Sequence, residues 1–146
     1  MDYESRHRFN VRNKDTTQTS VEYGFGVKFG SPNNCHTFYY YTKDWPLEYE
    51  DLFSLSPDGK RQRAVTSGGP GQVCMTNPKT RKLFAEKLRE YIKQDREDAR
   101  KKGLPIPRLY DISQNDNPCF CTCPDCKKML EKYKANSGPL IDFINY

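Results

Sequence analysis

An α/β fold of parallel strands joined by crossover helices is predicted by three features of this sequence. The first is a unit spanning 72–113, where a short apolar run, a long amphipathic stretch and a second β-prone run follow one another. The second is a pair of β-prone runs near the start, at 21–29 and 35–41. The third is a knot of amides and carboxylates directly after the last β-prone run, where parallel α/β folds bind ligands. At 146 residues the chain suits one domain with one core, a loop-rich strand region over 1–71 and a strand–helix–strand region over 72–146.

Residues 1–20 are polar and without period. Val21-Glu-Tyr-Gly-Phe-Gly-Val-Lys-Phe29 alternates apolar with other residues and reads as a strand or hairpin arm, weakened by Gly24 and Gly26. Gly30-Ser-Pro-Asn-Asn34 is a turn cluster, and Cys35-His-Thr-Phe-Tyr-Tyr-Tyr41 reads as a second strand. Residues 42–72 read as a long irregular loop, punctuated by Trp45-Pro46, Ser56-Pro-Asp-Gly59 and Gly68-Gly-Pro-Gly71. Gln72-Val-Cys-Met75 then leads to Asn77, a good N-cap, and Pro78, which suits a first helical position. Leu83, Phe84, Leu88, Tyr91 and Ile92 recur at helical spacing, and Gly103 with Pro105 and Pro107 marks the stop. Arg108–Ser113 reads as the returning strand, followed by a cysteine cluster, a helix from Lys127 to about Lys134, a Gly138-Pro139 break and a terminal helix. The charged opening Met1-Asp-Tyr-Glu-Ser-Arg6 does not read as a secretory leader, and the apolar period of Leu140–Tyr146 runs to the last residue, so both ends read as cut.

Composition narrows the partners. Ten Tyr, eight Phe and one Trp in a chain only 35% hydrophobic argue against disorder and suit ligands with both apolar faces and hydroxyls. The formal charge of +5 arises partly in Arg96–Lys102, which mixes both signs and reads as a solvated helix face rather than a nucleic-acid groove. No stretch reaches the length of a membrane span.

Two groups carry candidate chemistry. Gln114, Asn115, Asp116 and Asn117 follow the 108–113 strand. Asp116 is the candidate catalytic group, as general acid or orienting carboxylate, and the amides suit a polyhydroxylated ligand; the bland alternative is an Asx-rich turn. His36, between a turn cluster and three tyrosines, and Asn77 join the candidate substrate-binding set. The second group is Cys119-x-Cys121-x-Cys123-x-x-Cys126. Its Cys-x-x-Cys pair can fill two corners of a tetrahedral zinc, with Cys119, Cys121 or distant Cys74 completing the set; a disulfide or buried free thiols are the alternatives. No cofactor is otherwise required.

Several segments in register resemble one family: Arg6-His-Arg-Phe-Asn10, His36-Thr-Phe38, Leu52-Phe-Ser-Leu55 with Gly59-Lys-Arg61, Val73–Pro78, Ser113–Asn117, Cys121–Cys126 and Asp142-Phe-Ile-Asn145. Together they resemble a bacterial domain-of-unknown-function family (DUF4838) placed in the glycosidase TIM-barrel clan, and a more distant likeness runs to β-hexosaminidases and α-glucuronidases. The resemblance implies part of a (β/α)8 barrel, a carbohydrate partner, a secreted or periplasmic setting and further strands in the rest of a parent polypeptide. In β-hexosaminidases the matching strand ends in Asp-Glu, the Glu acting as general acid. Here the pair is Asp116-Asn117, and an amide cannot donate that proton, so that mechanism does not carry over intact; with the remaining strands and a second carboxylate expected outside it, the isolated chain is expected to hydrolyse nothing. A non-catalytic carbohydrate-binding module and a zinc-stabilised interaction domain are the alternatives.

Overall fold

The structure, a computed structural model, describes residues 29–135 and 137–146. The strand expected at 21–29 and the Arg6–Asn10 segment therefore lie outside the described residues, except for Phe29.

Helix α2, Pro78–Lys102, organises the rest. Asn77 Oδ1 accepts the Lys79 amide at 2.9 Å, Pro78 occupies the first turn, and Gly103 closes the helix in the left-handed conformation (φ 62°). Arg100, Lys101 and Lys102 face the negative end of the helix dipole. Its first half buries Thr80 and Phe84.

The aromatic run after His36 is not a strand. Phe38–Thr42 is a short helix, α1, which buries Phe38, Tyr41 and Thr42 at i, i+3 and i+4. A strand here would need a neighbour for its amides. Instead the Phe38 amide donates to Ser113 O (3.0 Å) and the Tyr39 amide to Asn115 Oδ1 (2.8 Å), which frees the segment to coil. High β-propensity is overridden by packing, because a helical turn places Phe38 and Tyr41 together on Phe84.

The expected loop 42–72 carries structure as well. Leu47–Leu52 is a 3-10 helix, and Ser54–Leu55 (β1) pairs antiparallel with Arg61–Gln62 (β2) around Ser56-Pro-Asp-Gly59. The run Gln72–Met75 extends this sheet by one antiparallel bridge, Val73 to Phe53, with Ser54 N to Gln72 O at 2.9 Å and Cys74 N to Leu52 O at 2.8 Å. Of the strand expected over Arg108–Ser113, the described residues show one isolated parallel bridge, Leu109 to Phe29. Helices α3, Pro124–Tyr133, and α4, Gly138–Ile144, complete the described chain and pack on each other. No helix among the described residues is long and apolar enough to cross a membrane.

The core is a cluster of rings. Phe38, Tyr41, Val73, Met75, Phe84 and Phe143 are buried together, with Trp45, Leu88, Tyr91, Ile112 and Leu140 at the margin. Phe84 sits at its centre, stacked on Tyr41 (4.9 Å, 1°) and edge-on to Phe38, Phe143 and Trp45. The Tyr41 hydroxyl reaches Asp111 O at 3.3 Å, and burial raises its pKa above the ordinary phenol value.

Phe84→Ala removes the ring shared by four aromatic neighbours. A loss of about 3–5 kcal/mol is expected in denaturant unfolding; a loss under about 1 kcal/mol would show that the helix does not pack through this residue.

Candidate metal centre and polar rim

Along an extended stretch alternate side chains point to opposite sides. Over 72–75 this sorts the chain cleanly. Val73 and Met75 enter the aromatic core, while Gln72 and Cys74 face the loop 113–126.

Cys74 meets Cys121, Cys123 and Cys126 there, and the four sulfurs lie within 4.8 Å of one another. All four side chains are buried. Cys74 Sγ lies 3.8 Å from Cys123 Sγ and 3.9 Å from Cys126 Sγ. A disulfide would need about 2.05 Å, and the cysteines are free. Four thiolates about 2.3 Å from a tetrahedral ion sit about 3.8 Å apart along each edge. The four cysteines can therefore hold a metal ion.

The surroundings suit thiolates. The Leu55 amide donates to Cys121 Sγ (3.4 Å), the Cys126 amide to Cys123 Sγ (3.5 Å) and Arg61 Nη1 lies 3.9 Å from Cys121 Sγ. Thr76 Oγ1 is 3.2 Å from Cys126 Sγ. Hydrogen bonds from Cys121 and Cys126 push the Cys74 thiol far down. The Cys126 thiol is driven far up, first by its bond to Cys121 and then by Cys74 and burial. Cys121 is raised to about 11: its contact with Cys126 lowers it, but its bond to Cys74 and burial outweigh that. Protons alone thus sustain one thiolate at the expense of its neighbours, and a bound cation removes that conflict.

Cys119, expected among the ligands, is outside the cluster, and Cys74 supplies the fourth sulfur. A tight turn explains this. Phe120 N donates to Pro118 O (2.8 Å), which breaks the alternation that would have kept Cys119 in line with Cys121. Cys119 instead lines a surface cleft with Ser56, Pro57 and Phe120. The loop is docked on the hairpin by Thr122, whose amide and hydroxyl both donate to Leu55 O.

Gln72 does the equivalent work on the neighbouring turn. Its Nε2 donates to Asn115 O (2.8 Å) and Asn117 O (3.0 Å), and its Oε1 accepts the Asn115 amide (3.0 Å). The Asn115 side chain accepts from Tyr39 N and donates to Gly71 O. Gly71 has φ 99°, and a Cβ there would lie 2.5 Å from Gln62 O, so the chain passes this point only as glycine. Asn117 Nδ2 donates to Gly69 O and its Oδ1 accepts the Cys119 amide. Asn77 caps α2 and lies 3.4 Å from Asp51. The amides of Asn77, Asn115 and Asn117 thus hold the chain itself. The sequence marks Gln72 only as the start of the 72–75 run; its one further signal is a lone amide between Gly71 and an apolar stretch.

The structure brings His36, Gln114 and Asp116 together at the surface. His36 takes a left-handed backbone (φ 50°), its Nδ1 is 3.1 Å from Gln114 O, and its Nε2 is 3.9 Å from Asp116 Oδ2. The two side chains are 41% and 74% exposed, so the pair forms an open rim beside the buried network.

A protein-family model described as a domain of unknown function (DUF4838) matches the chain over residues 1–146. No curated protein and no solved structure matches it.

Gln72→Leu removes both partners of the buried Asn115 peptide groups. A destabilisation of about 2–4 kcal/mol is expected in equilibrium unfolding; an unchanged midpoint would mean that the loop is held elsewhere.

Proposed function

The chain belongs to the DUF4838 family, and from that premise we propose that it is a zinc-held segment of a larger glycosidase-type barrel, presenting one wall of a carbohydrate site at His36 and Asp116. The carbohydrate reading rests on one observation: two polar side chains eighty residues apart in sequence meet at 3.9 Å, just past the 109–113 segment. Parallel α/β folds recognise ligands past the carboxyl ends of their strands, and the single bridge that precedes this point, Leu109 to Phe29, is parallel.

Zinc is the metal best suited to the four thiols. All-sulfur tetrahedral sites with no open position are its structural form. A closed site of this kind does no chemistry, so its role is to tie the 72–75 stretch to α3 and to fix the turn that carries Asp116.

Asp116 is then an orienting carboxylate of the sugar site. Glycoside hydrolysis needs two carboxyl groups, about 5–5.5 Å apart for retention and about 6.5–9.5 Å for inversion. Asn117 stands where the second would follow Asp116. The missing partner belongs to another strand of the parent protein, and the secreted or periplasmic setting comes with this reading. A second reading, a zinc-stabilised interaction domain, draws on the same four buried cysteines without the sugar site.

Metal analysis should find one zinc per chain, retained by Cys119→Ser and lost by Cys74→Ser, with chelation lowering the melting temperature. Full stability in the presence of chelator would reject the zinc assignment. Oligosaccharides, neutral and uronic, should perturb the His36 imidazole signals in NMR titration, whereas chromogenic glycosides should show no turnover. Silence of those signals across the whole panel leaves only the interaction-domain reading.

A further inference from the structure

The rim pair has a property that neither residue has alone. Gln114 contributes a backbone carbonyl to His36 Nδ1, at 3.1 Å. A carbonyl only accepts, so Nδ1 carries the proton. In the neutral ring Nε2 is then a bare lone pair, and it faces Asp116. The carboxylate of Asp116 is likewise an acceptor. With the ring neutral, two acceptors therefore face one another across 3.9 Å, too far for a direct hydrogen bond.

Resting on the carbohydrate reading above, we propose that His36 Nε2 and Asp116 Oδ2 form a two-acceptor clamp for adjacent hydroxyl groups of a sugar, each hydroxyl donating to one arm. A lone hydroxyl has one proton and can satisfy one arm only. A vicinal diol in a gauche arrangement supplies two donors, with its oxygens slightly closer together than the two acceptors, so both bonds of about 2.8 Å form at once. Ether oxygens in that position offer no donor and leave both arms unpaired.

The arms are unequally fixed. His36 is held by the Gln114 bond and by a backbone conformation that non-glycine residues rarely adopt. Its neighbour Thr37 is fully buried, with its hydroxyl bonded to Asp111 O (3.0 Å) and accepting the Ser113 amide (3.0 Å). Asp116 is pinned through its amide, which donates to Ser67 O at 2.8 Å, while its carboxylate stands in solvent. An imidazole held at Nδ1 opposite a solvated carboxylate suits a clamp that closes on a ligand after contact.

The test uses the whole metal-loaded chain at about pH 8, above the ordinary imidazole range. A His7→Gln variant assigns the single remaining imidazole by NMR. The probes are trans-cyclohexane-1,2-diol, cyclohexane-1,3-diol, 1,2-dimethoxycyclohexane, magnesium ion and xylobiose. The expected results are an Nδ1-protonated tautomer for His36, a saturable shift with the 1,2-diol, and at least tenfold weaker responses to the 1,3-diol and the diether. Asp116→Asn, at a side chain three-quarters exposed, should weaken the 1,2-diol response at least tenfold with metal content unchanged. An Nε2-protonated tautomer overturns the clamp, as do equal responses to diol and diether. A stoichiometric response to magnesium with none to the diol makes the pair a cation site and overturns it too. Xylobiose binding that survives Asp116→Asn removes the clamp but leaves the carbohydrate reading; no binding by any sugar removes both.

Discussion

The packing of the extended stretch 72–75 against the loop 113–126 is the constraint on which the rest depends. Period-two alternation gives this stretch two jobs at once. Val73 and Met75 complete the aromatic core, while Gln72 and Cys74 take hold of the loop. A one-residue slip would exchange these sets, placing an amide and a thiol among the rings and two apolar side chains against Asn115 and the cysteines. The register is therefore specified from both sides.

Magnitudes show what a metal held by the four cysteines would contribute. The chain is polar, and its apolar cluster is small and centred on one ring, Phe84. The far half of α2 is largely exposed and gains little from packing. A domain of this size has a net stability of about 5–15 kcal/mol, and an all-cysteine zinc site contributes an apparent binding free energy of about 10–16 kcal/mol in peptide systems. Even a fraction of that is comparable to the whole margin. Without an ion, four buried thiols and a buried amide network offer only modest net gains, because hydrogen bonds made in the fold replace hydrogen bonds to water.

Some of this was legible in the residues. Asn77-Pro78, the apolar stripe and Gly103 mark α2 because caps and helical period are local properties. The cysteine spacing pointed to a metal for the same reason. The fourth ligand was not legible, since choosing Cys74 over Cys119 depends on a turn at Pro118–Phe120 and on the Val73–Phe53 bridge, neither of which leaves a local mark. The aromatic run at 38–42 misled because β-propensity measures fit to a pleated surface, and here the partner surface is a helix. The polar rim was half legible. Asn-Asp-Asn announced a turn, but which of its members face inward depends on the amides they meet: Asn115 and Asn117 bond the chain, and Asp116 between them is left outside.

That last division is itself informative about how such a rim works. The residues flanking Asp116 are immobilised by buried hydrogen bonds, so its Cα is fixed while its carboxylate stays solvated. Opposite it, His36 takes a left-handed backbone and its imidazole is held through Nδ1 on the Gln114 carbonyl. Backbone strain of this kind costs of order 1–3 kcal/mol and persists only where the surroundings over-determine it. Here they do, through Ser113, Asn115 and the Gln114 carbonyl, all on the loop that Gln72 and the cysteines clamp. Recognition by exposed side chains is weak when they must first be ordered, because the ligand then bears that entropy. On the proposed carbohydrate reading, fixing the backbone on both sides of the pair removes the backbone share of that cost before any ligand arrives and leaves the rotation of the Asp116 carboxylate to be ordered on binding.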